Sequence, residues 1–409
     1  MSLLASLALF GCGDDGQGAP SGTAGSGNEA GSGAAPSSGG GGGTGGSGNQ
    51  AGSNAAGGSA GKASGGSGNQ GGGGGGGGGN SSARITVVGD QLMLCGQELF
   101  INGANTPWNN WNDFGGTYDS AFWSQHYAAL RGAGVNASRV WITCSGEVGI
   151  QIADDGTVSG ATEEHWAHLD DFFGIARQQG IYVMATLMSF DHFEAGAASK
   201  WNALIQSDAA IESYVTNYVV PFVQRYGENP YLWSIDLINE PDWVFEEQGV
   251  PWERLRAYFA RAAAAIKQNS EVLVTIGMAM PKYQATCAGC SDEISDAALS
   301  AIAPGASLDF YSPHHYDWIT EVWGNPLDVS PSAYGYIGSK PYMLGELPAH
   351  GTEGRTIGAD LEQAFTNGYR GLMPWTSNGV DSNGGFAEVS AGAQAFAAQH
   401  EALVFPSCP

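Results

Sequence analysis

Two glutamates stand where a carboxyl group could work as an acid, a base or a nucleophile. Ile238-Asn239-Glu240-Pro241 ends the apolar run Tyr231-Leu232-Trp233-Ser234-Ile235-Asp236-Leu237, and Gly345-Glu346-Leu347 ends Pro341-Tyr342-Met343-Leu344. A carboxylate at the end of a buried strand is costly unless it is solvated, paired or used. A single strand-end glutamate is usually a solvated loop residue. Two that face one cavity form the carboxyl pair that glycosidic bond cleavage requires.

The elements that must bring them together alternate along the chain. A hairpin at 87–94, turning at Gly89-Asp90, precedes strands expected at 99–105, 137–143, 181–187, 231–239, 272–277, 308–314, 341–346 and 371–375. Helical spacing falls at 119–133, 163–179, 209–226, 252–268, 295–302 and 394–401, while 331–338 reads as loop. Eight strands with intervening helices predict an α/β fold, a (β/α)8 TIM barrel whose floor the N-terminal β-hairpin plugs. An open doubly wound sheet would carry a glycine-rich phosphate turn after its first strand, and Gly103-Ala104-Asn105-Thr106-Pro107 is not one.

Only part of the 409-residue chain can build this barrel. Residues 1–12, ending Leu9-Phe10-Gly11-Cys12, read as a signal peptide with a lipobox, in which Cys12 would be lipidated. Residues 13–83, almost wholly Gly, Ser, Ala, Asn and Gln with a glycine run from Gly71 to Gly79, bury too little apolar area to fold and read as a disordered linker. Residues 84–409 have the composition of a catalytic domain. This arrangement predicts export, as a cell-surface lipoprotein or an extracellular protein. Of the cysteines, Cys287 with Cys290 and Cys95 with Cys408 are candidate disulfides in an exported chain, leaving Cys144 in the core. A net charge of −25 and the lack of a basic patch exclude phosphate-backbone recognition, so no nucleic-acid partner is expected. The only membrane link expected is the lipid anchor, and the chain is expected to act as a monomer.

At the predicted strand ends the polar residues have a theme. Arg139 lies on the second strand, Asp191 and His192 follow the third, Asn239 and Glu240 end the fourth, His314-His315-Tyr316 the sixth, Glu346 the seventh and Trp375 the eighth. In such barrels chemistry sits on these ends. The set, in this order, resembles glycoside hydrolase family 5 of clan A over roughly 98–380. Asn239-Glu240-Pro241 is similar to that family's acid/base segment and Gly345-Glu346 to its nucleophile segment. His314 and Tyr316 match its His-x-Tyr, Arg139 its strand-two arginine and Trp375 its strand-eight platform. Leu347-Pro348-Ala349 and Ser189-Phe190-Asp191-His192 depart from the commoner patterns and leave the subfamily open.

The resemblance implies a retaining reaction with catalytic Glu240 and Glu346, needing no metal or other cofactor. It implies that Arg139 and Tyr316 hold Glu346 ionised, that Asn239 binds the sugar 2-hydroxyl, and that His314 orients the site. Trp375, Trp108 and His192 join these as expected substrate-binding residues, although His192 suits a loop role equally well. His315 and the mid-strand Asp236 suit structural roles, the latter as an ion-pair partner. Trp108, Trp111, Trp141, Trp243, Trp318 and Trp323 near strand ends suggest a long cleft, hence endo attack on a β-1,4-linked polysaccharide. Arg139-Val140-Trp141 loosely resembles the corresponding segment of family 5 mannanases, and that resemblance leans towards mannan over glucan. The alternatives are an endo-β-1,4-glucanase of the same family and a catalytically inactive carbohydrate-binding barrel on the cell surface.

Overall fold

The computed structural model describes residues 84–194 and 196–408. The expected signal peptide, Cys12 and the linker 13–83 lie outside the described residues.

The strands run β1 (Ile85–Val88), β2 (Gln91–Leu94), β3 (Gln97–Leu99), β4 (Ile101–Asn105), β5 (Ala137–Trp141), β6 (Ile150–Ile152), β7 (Val158–Ala161), β8 (Tyr182–Thr186), β9 (Leu232–Asn239), β10 (Leu273–Gly277), β11 (Leu344–Pro348) and β12 (Gly371–Trp375). Seven of them form one parallel sheet in the order β10-β9-β8-β5-β4-β12-β11. Residues 309–314 close it between β10 and β11. Asp309 N–H donates to Val274 O at 2.8 Å and His314 N–H to Met278 O at 2.8 Å. On the other side Met343 N–H donates to Tyr311 O at 3.0 Å and Gly345 N–H to Pro313 O at 2.9 Å. The expected sixth strand is therefore present but irregular, because Pro313 has no N–H to give to a ladder. The result is the (β/α)8 barrel.

Strand residues alternate between the barrel lumen and the helical layer, as period-two geometry requires. On β5, Val140 packs into the outer core while Arg139 turns inward. The antiparallel β1-β2-β3 unit, with Gly89 at positive φ in its first turn, packs Ile85, Leu92, Leu94 and Leu99 with the inward residues Ile101, Ala137, Met184, Trp233, Phe310, Met343 and Met373. It seals the barrel floor. The Cys95–Cys408 disulfide ties it to the C-terminus; Cys287 and Cys290 are also bonded and Cys144 is a buried free thiol.

The helix Glu163–Gln179 begins at Thr162, whose side chain accepts His165 N–H, and ends at Gly180 in the left-handed conformation. Its Leu169, Phe172, Phe173 and Ala176 are buried at helical spacing. The expected helix at 209–226 is interrupted: a π-turn, Val215–Val219, precedes Pro221, which removes one N–H from the ladder. The short helix Pro331–Tyr334, capped by Ser330, occupies the stretch expected to be loop. Pro at its first position and Gly335 beyond its end make even one turn possible. The antiparallel pair β6-β7 and the helices Ala198–Gln206 and Ile357–Thr366 complete the layer outside the strands.

Candidate active site

Arg139 is the centre of the polar cluster above the barrel core. It is fully buried, and all five of its N–H donors are engaged. Nε and Nη2 donate to Asp236 Oδ2 at 3.0 and 2.7 Å, and Nη2 also to Asn239 Oδ1 at 2.8 Å. Nη1 donates to Asn105 Oδ1 at 3.2 Å and to Glu346 Oε1 at 2.5 Å. The guanidinium lies 4.3 Å from the Trp141 ring centroid. Asp236 is thus an ion-pair partner inside the barrel, and it also accepts Gly277 N–H at 2.9 Å and the Thr186 hydroxyl at 3.2 Å.

Glu346, on β11, receives the Tyr316 hydroxyl on Oε2 at 2.7 Å in addition to Arg139. Glu240 follows β9 directly and opens the helix Pro241–Glu246 at φ 50°, ψ 58°. Its N–H donates to Gly277 O at 2.7 Å, which fixes this left-handed residue. Its carboxylate meets His314 Nδ1 at 2.7 Å and receives Trp243 Nε1–H at 3.0 Å. Trp243 lies one helical turn beyond Glu240, so the same helix that carries the carboxylate carries its donor. One oxygen of Glu240, one of Glu346 and one ring nitrogen of His314 all lie within 4.8 Å of one another.

Environment separates the two carboxyl groups. Burial raises Glu240 to about 7, against the Arg139 charge and the Trp243 hydrogen bond. Burial also raises Glu346; His314, Arg139 and the Tyr316 hydroxyl oppose that rise, and the charge of Glu240 adds to it. Only Glu346 touches the guanidinium, so a proton shared by the pair rests on Glu240. His314 is lowered to about 4 by burial and is neutral near pH 7. Gly277 and Gly345 make room for it: a Cβ at Gly277 would meet His314 Nε2 at 2.7 Å and one at Gly345 would meet it at 3.3 Å.

Trp375 ends β12 almost fully buried, with Nε1–H donated to Asp381 at 2.6 Å. It packs on Trp141 at 5.1 Å and on the half-buried Trp108 at 6.0 Å, and Trp108 packs in turn on Trp111 at 4.7 Å. These four rings form one aromatic wall beside Arg139. Trp243 and Trp318, 6.0 Å apart, lie on the Glu240 side.

The structure brings Arg139, Asn239, Glu240, His314, Tyr316 and Glu346 together and leaves His192 out. Expected to bind substrate, His192 is fully buried, with its ring against Trp201 at 4.5 Å. Nδ1 accepts Ser189 N–H at 3.1 Å, so Nε2 carries the proton and donates to Thr143 Oγ1 at 3.0 Å. Both ring nitrogens are consumed by the turn, and none remains for a sugar. His315 is likewise buried, with Nε2 beside Thr320 Oγ1 at 3.2 Å. Sequence reasoning placed Trp243 in the cleft but missed its bond to Glu240, three positions before it, and it missed Asn105, at the end of β4. Asn105 Nδ2 holds Gly345 O and Met373 O at 2.9 and 2.7 Å, tying the Arg139 cluster to the strands on its far side.

No family model matches the chain. The mannan endo-1,4-β-mannosidase of Mytilus edulis is 24% identical over 331 residues, 74% of this chain and 90% of that protein. The crystal structure of endo-1,4-β-mannanase from Eisenia fetida superposes with a TM-score of 0.69 at 25% identity, covering 76% of this chain and 94% of that one. The β-1,4-mannanase of Aplysia kurodai, at 22% identity and a TM-score of 0.70 over 80% of this chain and 100% of its own, shares the fold. The chain is a glycoside hydrolase. Its barrel, with glutamates after the fourth strand and on the seventh, is consistent with family 5 of clan A.

Proposed function

We propose that this chain is a retaining endo-β-1,4-mannanase, with Glu240 as acid/base and Glu346 as nucleophile. The observation that carries the mechanism is the separation of the two carboxyl groups. Their oxygens approach within 4.8 Å. Retention needs carboxyl groups about 5–5.5 Å apart, whereas inversion needs roughly 6.5–9.5 Å to seat a water between them. Glu346, held by Arg139 and Tyr316, attacks the anomeric carbon as Glu240 protonates the departing glycosidic oxygen. The glycosyl-enzyme ester is then cleaved by water that Glu240 deprotonates. Neutral His314, hydrogen-bonded to Glu240, keeps its carboxyl group in one orientation through both steps. Asn239 presents its amide to the 2-hydroxyl of the reacting sugar. The mannanase names of the Mytilus edulis and Eisenia fetida relatives support mannan as the polymer, and the aromatic walls on either side of the glutamates support internal attack along a chain.

The test is release of reducing ends from mannan, glucomannan, carboxymethyl cellulose and xylan, with Glu346→Ala and Glu240→Ala as comparisons. Mannan is expected to be the best substrate, and the Glu346 variant to lose at least about a thousandfold in kcat. Wild-type rates in that variant, or an inverted first product by proton NMR, would refute the covalent route. Faster release from carboxymethyl cellulose than from mannan would favour a glucanase. We also propose that export and lipidation at Cys12 place the enzyme at the cell surface, on the strength of the Leu9-Phe10-Gly11-Cys12 segment. Metabolic palmitate labelling that depends on Cys12 tests this, and a processed but unlabelled protein rejects it.

A further inference from the structure

Ser189 and Asp191 follow β8 in a tight turn, Phe190–Phe193, that the reaction above leaves without a role. The backbones of Ser189 and Asn239 pair in parallel there, and Asn239 Nδ2–H donates to Ser189 Oγ at 3.3 Å. Ser189 Oγ in turn donates to Asp191 Oδ2 at 2.5 Å. A hydroxyl has a single proton. With that proton committed to Asp191, Ser189 can only accept from Asn239. At the other end of the same amide, Asn239 Oδ1 accepts from Arg139 Nη2. The planar amide is therefore held at both ends, and its second N–H has one direction left.

Asp191 is an expensive residue to keep here. It is 7% exposed, and burial raises its carboxyl to about 7; the Ser189 hydrogen bond works against that rise, and the charges of Glu194 and Glu240 add to it. Asp242, fully buried, accepts backbone N–H groups of Ala279 and Met280 and so shapes the chain after β10. The bond from Asp191 goes instead to the one hydroxyl that touches Asn239.

We propose that Asp191 is a positioning residue that acts through Ser189 to hold the Asn239 amide against the 2-hydroxyl of the sugar at the reacting carbon. This rests on the glycosidase reading above and extends it from Asn239 to the turn behind it. The contact strengthens as positive charge builds at the anomeric carbon, so its loss falls on kcat more than on KM.

The test uses the full chain and two aryl β-mannobiosides that differ only in the presence of the 2-hydroxyl on the ring that bears the aryl group. On the parent substrate, Asp191→Ala and Ser189→Ala are each expected to lose about tenfold in kcat/KM, mostly in kcat, and the double variant no more than either single one. On the 2-deoxy substrate both variants should match the wild type. Asp191→Asn keeps an acceptor for Ser189 and should recover most of the loss. Equal losses on both substrates, additive losses in the double variant, or no recovery by Asp191→Asn would each overturn the proposal, since a merely structural turn would behave that way. A wild type that hydrolyses both substrates equally well would instead refute the Asn239 contact itself.

Discussion

Trp243→Phe should extend activity to higher pH. Trp243 Nε1–H donates to a Glu240 carboxylate oxygen at 3.0 Å, and Glu240 is titrated by this environment near pH 7. A donor of this kind stabilises the ionised carboxylate more than the acid, so removing it leaves the acid favoured. Hydrogen bonds to charged groups contribute roughly 1.5–3 kcal/mol, and about half of that survives on protonation because a carboxylic acid still accepts. The differential is about 0.8–1.5 kcal/mol, at most about one pH unit at 1.36 kcal/mol each, and the upper end sets the shift expected here. Glu240 must be protonated to donate to the leaving oxygen, so activity falls as pH rises through its pKa. The alkaline limb of kcat/KM should therefore move from about pH 7 in the wild type to about pH 8 in the variant. At pH 8 the variant should retain about half of its own maximum and the wild type about a tenth. The assay is initial rates on an aryl β-mannobioside from pH 4 to 10, each enzyme normalised to its own optimum. Loss of stacking area lowers the maximal rate but does not shift the limb. A limb that stays in place or moves to lower pH would refute the assignment of Glu240 as the titrating acid.

Gly277→Ala places a methyl group 2.7 Å from His314 Nε2 and 2.9 Å from Arg139 Nη2, so kcat/KM should fall at least about a hundredfold while the fold survives; unchanged kinetics would show that the cluster tolerates displacement. Tyr316→Phe removes the 2.7 Å donor to Glu346 and should move the acid limb of kcat/KM to higher pH with about a tenfold lower maximum, and an unmoved limb would separate Tyr316 from the nucleophile. Cys95→Ser opens a bridge between residues 313 apart and should cost about 2–5 kcal/mol, read as a lower melting temperature; an unchanged melting curve would mean the hairpin holds the barrel floor without it.

Much of the barrel was legible because its signals are local. Buried apolar runs, helical spacing and caps such as Thr162 and Gly180 act within a few residues of one another. The irregular sixth strand and the π-turn before Pro221 were less legible. In each a proline removes a backbone donor, and neighbours distant in sequence decide what replaces it. In the site, the glutamates were visible from their strand ends and Asp236 from its mid-strand charge. His192 was left between a site role and a loop role because a histidine after a strand looks the same in sequence whether its nitrogens face a cavity or close a turn. Asn105 escaped notice because its bonds reach Gly345 O and Met373 O, contacts that exist only once the barrel closes. Trp243 was read only as a cleft ring, yet its bond to Glu240 was within reach of the sequence: a tryptophan three residues after a glutamate that opens a helix can meet that carboxylate.

The difference between two glutamates that burial pushes in the same direction comes down to one guanidinium with no donor to spare. Five N–H groups on Arg139 meet Asp236, Asn239, Asn105 and Glu346. Asp236 and Asn105 are themselves tied to backbone on neighbouring strands, so the arginine cannot swing towards Glu240 without leaving buried acceptors unpaired. Its charge is therefore spent on Glu346 at every stage of the reaction. Glu240, offered only an indole N–H and a neutral imidazole, changes protonation instead. A lysine at 139 would supply the charge but three donors instead of five, and could not hold Asp236, Asn239, Asn105 and Glu346 at once. The division of labour between acid and nucleophile is thus set less by the glutamates than by the geometry of the fork between them.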